Sequence, residues 1–429
     1  MYLNTSEGFV DSGIELPGVH SGSVKWADYD NDGCLDILIT GITQDGTRIS
    51  KIFRNDHGFF TDINANLLAV GNSSVAWGDY NNDGLLDIAL SGRTSNNEYV
   101  TKIYRNDNGI FTDINAPLMG VFLSSIAWGD MDNNGYLDLV IAGARSLNSP
   151  FSPYSAVYLN DGSSFALQQL LTGVCFASIG LCDFDNDGDL DILITGRNAS
   201  GTAISRLYES TGAEANWAPY EPANLAVTEN GDYLLFTWDR SIDSEQHPIS
   251  LSYSIKIGSS PDACDIVSAS TNQYGQGLRP DFGNIHSSTS YRIRKDVFTP
   301  GATYYWSVVA IDNSFSSSGF STEVSFEAPT GVDDLLGGTQ QYISIAPNPF
   351  NPSTTISFFM LEDGVVKLTI YNARGQKVKD LASGSFSRGQ HQLIWDGRDQ
   401  SNRELSSGVF LLKLESSGHC HTRKMMLMK

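Results

Sequence analysis

The chain has 429 residues and a net charge of −22 at neutral pH, from 49 acidic against 27 basic side chains. That length suits about three domains, and so acidic a chain disfavours nucleic acid, a polyanion it would repel. Its 18 tyrosines and 41 glycines, with few helix-forming stretches, point to an all-β protein, and no apolar run approaches the ~20 residues that span a bilayer as a helix. Cys34, Cys175, Cys182, Cys264 and Cys420 make an odd set without metal spacing or a disulfide framework. Cys175 and Cys182 could pair if the geometry allowed, although isolated buried thiols suit the pattern better. No charged stretch followed by an apolar one stands at the N-terminus, so no signal peptide is read there.

The first element, Tyr2-Leu-Asn-Thr-Ser-Glu-Gly8-Phe9, matches Tyr158-Leu-Asn-Asp-Gly162 far downstream. Four copies of one acidic loop follow, beginning at Asp28, Asp79, Asp130 and Asp183. Oxygen side chains at loop positions 1, 3, 5 and 9 converge on one point if the chain turns sharply at position 6, where every copy has glycine (Gly33, Gly84, Gly135, Gly188). Position 7 then offers its backbone carbonyl, which leaves its side chain free to vary. The candidate ligands are Asp28, Asp30, Asp32, Cys34 and Asp36 in the first loop and Asp79, Asn81, Asp83, Leu85 and Asp87 in the second. In the third they are Asp130, Asp132, Asn134, Tyr136 and Asp138, and in the fourth Asp183, Asp185, Asp187, Asp189 and Asp191. A flexible loop offering this many hard oxygens suits calcium better than magnesium. One such loop could be a polar hairpin turn; four with the same five ligand positions go beyond that.

These are not EF-hands, because position 12 is Ile39, Leu90, Ile141 and Ile194 rather than a bidentate Glu. Each loop instead runs into a short apolar stretch bounded by glycine, at 35–41, 86–92, 137–143 and 190–196, which reads as a buried strand. Loops one and four carry four ligating carboxylates each, whereas Asn81 and Asn134 replace one in loops two and three. Loops one and four are therefore expected to fill first.

The first ligands stand 51, 51 and 53 residues apart. A second signature recurs in each unit: Lys51-Ile-Phe-Arg-Asn55, Lys102-Ile-Tyr-Arg-Asn106, Ala156-Val-Tyr-Leu-Asn160 and Arg206-Leu-Tyr-Glu-Ser210. Gly58-Phe-Phe-Thr-Asp-Ile63 is echoed at Gly109-Ile-Phe-Thr-Asp-Ile114, and Trp26, Trp77, Trp128 and Leu181 precede the loops. About four short strands per unit with a fixed aromatic anchor describe a propeller blade. Residues 1 to 210 resemble the FG-GAP or VCBS repeats of integrin-like β-propellers, which implies one calcium loop between two strands of each blade. Phe53, Tyr104 and Tyr208 each lie 25 residues after the first ligand of their loop, so the loop belonging to Tyr2 would lie some two dozen residues before Met1. Either the chain is the C-terminal part of a longer secreted protein, or residues 2–14 complete the fourth blade, which lacks a Gly-Phe strand.

The propeller region is assigned to 1–219. Pro219-Tyr-Glu-Pro222 breaks the repeat, and Ala223–Val227 and Tyr233-Leu-Leu-Phe-Thr-Trp238 then alternate like sandwich strands, followed by Ser252–Ile257 and Thr299–Asp312. Residues 220–329 resemble a fibronectin type III module, with Trp238 as core tryptophan and Tyr304 at a tyrosine corner; Trp306 and Val308 continue the inward face. The stretch 282–296 is expected to be an additional hairpin. A linker, 330–340, leads to 341–429, where the order Pro347-Asn-Pro349-Phe350, Tyr371-Asn-Ala-Arg-Gly-Gln376, Trp395-Asp-Gly397, Ser407-Gly-Val-Phe410 and a terminal Lys-Met run stands out. These segments resemble the C-terminal sorting domain of the type IX secretion system, related to the immunoglobulin-like domain of flagellar hook-capping proteins. That resemblance implies the type IX machinery as partner and export to the surface of a Bacteroidota-like bacterium.

No Gly-x-Ser-x-Gly, His-Glu-x-x-His, phosphate loop or dinucleotide fingerprint occurs. His419 and His421 are too sparse for structural zinc, which takes four ligands. The resulting expectation is an all-β, monomeric, non-catalytic protein: a partial or small propeller with about four structural calcium ions, then two β-sandwiches. It would be secreted or attached at the outer-membrane surface, and would offer one rim to a glycan or protein ligand in adhesion. The alternative is the accessory C-terminal part of a secreted hydrolase, and a passive spacer is the third reading.

Overall fold

The structure, a computed structural model, describes all residues except 6, 7, 57, 147–151, 212–215, 270, 272–274, 276–280, 331–342, 347, 349, 361, 362, 373, 417, 418 and 429. It is all-β, and among the described residues the one helical element is a 3₁₀ turn, Lys295–Val297. The chain divides into two compact units: Gly18–Arg54 with Asp62–Val332, and Met1–Pro17 with Asn55–Thr61 and Asp333–Lys429.

The larger unit contains the repeats. In the second, Gly71–Gly78, Asp87–Arg93, Tyr99–Asp107 and Ile110–Asp113 pair in chain order as an antiparallel meander. The third repeats this with Phe122–Gly129, Asp138–Ala144, Pro153–Asn160 and Phe165–Leu170. Val19–Ala27, Asp36–Thr43 and Arg48–Asp56 open the first repeat in the same order, and Cys175–Cys182, Asp191–Arg197 and Ala203–Tyr208 form the fourth. First strands of consecutive sheets pack side by side, tied by Ser74 Oγ, which accepts from the Ile126 amide (3.3 Å), and Ser125 Oγ, which accepts from the Ile179 amide (3.2 Å). Four sheets in such a row are compatible with a partial propeller. The second strand of an inner repeat has a sheet against each face, which is why Ile88, Ala89 and Leu90 or Leu139, Val140 and Ile141 form continuous apolar runs instead of alternating.

The seams between sheets are aromatic at first and then lose their rings. Tyr29, Trp77 and Phe111 meet at centroid separations of 5.7–6.3 Å between the first two sheets. Tyr80 and Trp128 close on Phe165 at 5.6 and 6.0 Å in the next seam. At the third seam Met131 and Leu181 stand where tyrosine and tryptophan stood, beside a cavity of about 330 Å³ lined by Met131, Leu159, Leu171, Ile192 and Tyr208 among others. Cys175 and Cys182 occupy opposite ends of one strand, ~23 Å apart at ~3.3 Å per residue and far beyond disulfide reach. They are free thiols, as is Cys264.

Residues 223–327 form two three-stranded sheets: Ala223–Asn230, Tyr233–Asp239 and Ser290–Arg294 against Ser252–Gly258, Thr303–Ile311 and Val324–Glu327. Phe236, Trp238, Tyr253 and Trp306 are buried between them, and the Tyr304 hydroxyl accepts from the Thr299 amide (2.9 Å). The hairpin expected over 282–296 does not form. Ser290–Arg294 instead joins Tyr233–Asp239 as the third strand of the first sheet, because Tyr291 and Ile293 pack on the shared core.

In the smaller unit, Tyr2–Thr5 and Gly8–Asp11 form a hairpin whose register, Tyr2↔Asp11 to Thr5↔Gly8, repeats that of Tyr104↔Asp113 to Asp107↔Ile110. The C-terminal strands make one sheet of Ile343–Ala346, Thr354–Met360 and Gly389–Trp395, and another of Lys377–Phe386, Gly364–Asn372, Gly408–Ser416 and His419–Leu427. Phe350, Phe358, Trp395, Phe410 and Met425 fill the space between the sheets. Apart from Thr330, the expected linker 330–340 lies outside the described residues, as do the side chains of His419, Cys420 and His421.

Candidate metal centre

Each acidic loop joins the first strand of a repeat to the second, and local hydrogen bonds set its shape. The carboxylate at position 1 accepts from the amides of positions 5 and 6: Asp28 from Asp32 and Gly33 (3.0 and 2.8 Å), Asp79 from Asp83 and Gly84 (3.0 and 2.8 Å). Asp130 does the same with Asn134 and Gly135 (3.0 and 2.7 Å), and Asp183 with Asp187 and Gly188 (3.2 and 3.1 Å). Position 5 accepts from the amide of position 7, so Asp32, Asp83, Asn134 and Asp187 fix Cys34, Leu85, Tyr136 and Asp189 in the turn. The glycines at position 6 lie at φ of 86–92°, a region that penalises any Cβ.

Position 9 is a buried clasp that spacing alone did not reveal. Asp36, Asp87, Asp138 and Asp191 are essentially inaccessible. One oxygen accepts from the amide of loop position 2, as Asp87 does from Tyr80 (3.2 Å) and Asp138 from Met131 (2.7 Å). The other accepts from the third strand or just past its end: Asp87 from Asn106 (2.7 Å), Asp138 from Asn160 (2.7 Å), Asp191 from Ser210 (2.9 Å). The asparagines then reach the preceding sheet. Asn106 Nδ2 donates to the Tyr29 and Leu86 carbonyls (3.0 and 3.1 Å), and Asn160 Nδ2 to those of Tyr80 and Leu137 (2.7 and 3.0 Å).

Carboxylates converge in three of the four loops. Oxygens of Asp28, Asp30 and Asp32 lie within 4.8 Å of one another, as do those of Asp130, Asp132 and Asp138 and those of Asp183, Asp185 and Asp191. Loop two forms no such acidic triad among the described residues; Asn81 Nδ2 turns instead to Asp83 Oδ2 (2.8 Å). At position 3 of loops one and three an oxygen lacks a donor: Asp30 Oδ1 and Asp132 Oδ1 are buried and unpartnered. Asp189, expected to offer only its carbonyl, buries its side chain beside Asp187 and Ser210, apart from the converging triad of its loop. Burial, opposed by the Gly33 amide and reinforced by Asp32 and Asp30, pushes Asp28 up to about 6. Burial likewise raises Asp79 and Asp130 to about 7, Asp138 to about 8 and Asp87 to about 9. Carboxylates that repel one another in a dry site, with oxygens left over, fit a hard divalent cation that would take those oxygens. Arg54 partly does this at loop one, reaching Asp30 Oδ2 (3.2 Å) and Asp32 Oδ2 (3.7 Å).

The loop tips are not a free rim. Within the larger unit, Arg292 Nη2 donates to the Asp32 carbonyl (2.6 Å), Ser287 Oγ to that of Gly84 (3.4 Å) and Asn313 Nδ2 to that of Gly135 (3.0 Å). Ser314 Oγ donates to Asn133 Oδ1 (2.6 Å), and the Asn313 carbonyl accepts from the Asp130 amide (3.0 Å). The region 223–327 therefore sits on the tips of the first three loops.

Residues 28–90 and 79–141 match the FG-GAP-like repeat, and residues 357–419 match the FlgD Ig-like domain. No curated protein matches the chain. Among solved structures, dimeric latent PorU from Porphyromonas gingivalis aligns at 12% identity and a TM-score of 0.23, over 83% of this chain and 34% of its own. The chain thus spans about a third of that protein's length. The chicken CNTN1 FN1–FN3 domains align at 10% identity and a TM-score of 0.20 over 71% of this chain and 98% of theirs. An α-L-rhamnosidase from Dictyoglumus thermophilum aligns at 12% and 0.21 over 50% of this chain and 29% of its own. At TM-scores this low none of the three implies a shared fold.

Proposed function

We propose that this chain is a non-catalytic, calcium-binding module of a secreted or surface-attached protein, in which one ion per loop makes the row of sheets rigid. The observation that carries this reading is the pair of buried, unpartnered oxygens of Asp30 and Asp132, each belonging to a set of converging carboxylates. A cation supplies what those atoms lack, and its binding free energy adds to that of folding. The C-terminal sandwich, 341–429, would act as the sorting signal read by type IX secretion machinery, and 220–329 as a fibronectin-like spacer. A glycan or protein ligand in adhesion would meet a surface other than the loop tips, where Arg292, Ser287 and Asn313 already sit.

The test is a calorimetric calcium titration of the full chain after removal of metal, with thermal melts alongside. Saturation near four ions with a higher melting temperature supports the reading; no uptake, or a melt indifferent to calcium, sinks it. Export is tested separately by fusing residues 341–429 to a reporter in a bacterium with type IX secretion. Retention inside the cell would remove the sorting role.

A further inference from the structure

Position 4 of every loop is asparagine: Asn31, Asn82, Asn133 and Asn186. All four adopt the left-handed conformation, at φ of 55, 56, 58 and 59°. Local geometry would accept glycine there, or aspartate nearly as well, so the turn alone does not account for a carboxamide four times over. For the first three its role lies in the neighbouring repeat. Asn31 Nδ2 donates to the Gly84 carbonyl (3.2 Å), Asn82 Nδ2 to the Gly135 carbonyl (2.9 Å) and Asn133 Nδ2 to the Gly188 carbonyl (3.0 Å). Each of the first three loops thus reaches across to the position-6 carbonyl of the next, one residue before position 7.

Two of these carbonyls take a second donor. Gly84 accepts from Ser287 Oγ as well as Asn31, and Gly135 from Asn313 Nδ2 as well as Asn82. A carbonyl oxygen has two lone pairs, and here one serves the preceding loop while the other serves the 223–327 region.

Resting on the calcium reading above, we propose that the loops load as a linked series, each position-4 asparagine passing the ordering of its own loop into the turn of the next. Filling loop n fixes its turn and holds the asparagine on the following glycine carbonyl. Loop n+1 then loses less conformational freedom when it binds its own ion, and entropy already lost at one site lowers the cost at the next. A single hydrogen bond at each junction supports a coupling of about fivefold in affinity, the low end of the usual range. The same carbonyls extend the coupling to Ser287 and Asn313, so the region 223–327 should be held more tightly once the loops are filled.

The experiment is calorimetric titration of the metal-free full chain with calcium chloride, comparing wild type with Asn82→Gly. Glycine keeps the positive φ and removes only the carboxamide. The expected wild-type isotherm is cooperative, with a Hill coefficient above one. In Asn82→Gly total uptake is unchanged but cooperativity drops, because loops one and two are cut off from loops three and four. Hydrogen exchange at the Asn313 and Ser314 amides should slow on calcium addition in both proteins, and less in the variant. Independent, equivalent sites in the wild type, or an unchanged isotherm in Asn82→Gly, would overturn the coupling while leaving calcium binding intact. Absence of any calcium heat would overturn both, and is a different result. Should Asn82→Gly not fold, the wild-type isotherm alone decides, since coupled sites cannot titrate as independent ones.

Discussion

The aromatic seams and the acidic loops belong to the same repeats and lie a few residues apart, yet they contribute to stability in opposite ways. Trp77 and Trp128 are buried among other rings, and burial of that kind is favourable in any aqueous buffer. Asp79, Asp87, Asp130 and Asp138 are as deeply buried, but desolvation raises the pKa of every one. Without a cation, loops two and three oppose folding at neutral pH. One fold thus contains an unconditional part and a conditional part, and the position-9 clasp welds them together.

The largest expected effect belongs to the conditional part. At a hundredfold excess of calcium over the dissociation constant, each filled loop should add about 2.7 kcal/mol. For metal-free protein the pH dependence has a definite sign. Folded-state carboxylates at about 6 to 9 hold more protons than unfolded ones titrating near 3.8, so stability is greatest at low pH and is lost as pH rises through that window. Thermal melts of metal-free protein should give a lower transition at pH 8 than at pH 5, and saturating calcium should cancel the difference. A metal-free protein equally stable at both values would erase the contrast between loops and seams. Trp128→Ala comes next, at about 3–5 kcal/mol for a lost core ring. Its cost by denaturant titration should be the same with and without calcium; a calcium-dependent cost would mean that the seam is itself conditional.

How much of this was legible in the sequence depends on the distance over which each feature is determined. The loops are local: ligand spacing and the glycine at position 6 are fixed within nine residues, so converging carboxylates at loops one, three and four follow from the sequence. Buried strands after each loop are legible for the same reason, through uninterrupted apolar runs. The clasp from Asn106 to Tyr29 and the link from Asn31 to Gly84 span 77 and 53 residues and exist only once the sheets stack. Their one trace in the sequence is an asparagine repeated where the turn does not demand it. The hairpin expected over 282–296 failed because a single strand with two inward residues looks the same whether it folds back on itself or joins an existing sheet. That Arg292, Ser287 and Asn313 would sit on the loops could not be read from any local pattern.

Asn160→Ala should have a smaller effect than the lost tryptophan. It removes the donor from the buried carbonyls of Tyr80 and Leu137, at roughly 1–3 kcal/mol for the groups left unsatisfied. Asn106→Ala should behave alike at the first seam. Ser210→Ala should cost less, since in the fourth repeat Asp191 takes only the backbone amide of that residue, and its hydroxyl meets Asp189 in the loop rather than a carbonyl of the preceding sheet. Chemical denaturation of the three variants ranks them, and a Ser210→Ala as damaging as Asn160→Ala would show that the side chain is not what clasps the seams.

The smallest effect concerns the order in which loops fill. Counting carboxylates puts loops one and four level, but their surroundings differ. Arg54 lies against Asp30 and Asp32 and offsets part of the charge that would attract an ion to loop one, whereas Asp189, buried beside Asp187, adds negative charge to loop four. Loop four should therefore fill ahead of loop one. Arg54 is half exposed, so the pair is worth no more than about 1 kcal/mol and is screened by salt. Arg54→Ala should then raise the calcium affinity of loop one by up to about fivefold at low ionic strength, with the gain shrinking as salt is added. Titration of Arg54→Ala against wild type at two salt concentrations reads this directly. An unchanged isotherm at low salt would mean that the guanidinium swings away at no cost when the ion arrives, and that carboxylate number alone sets the order.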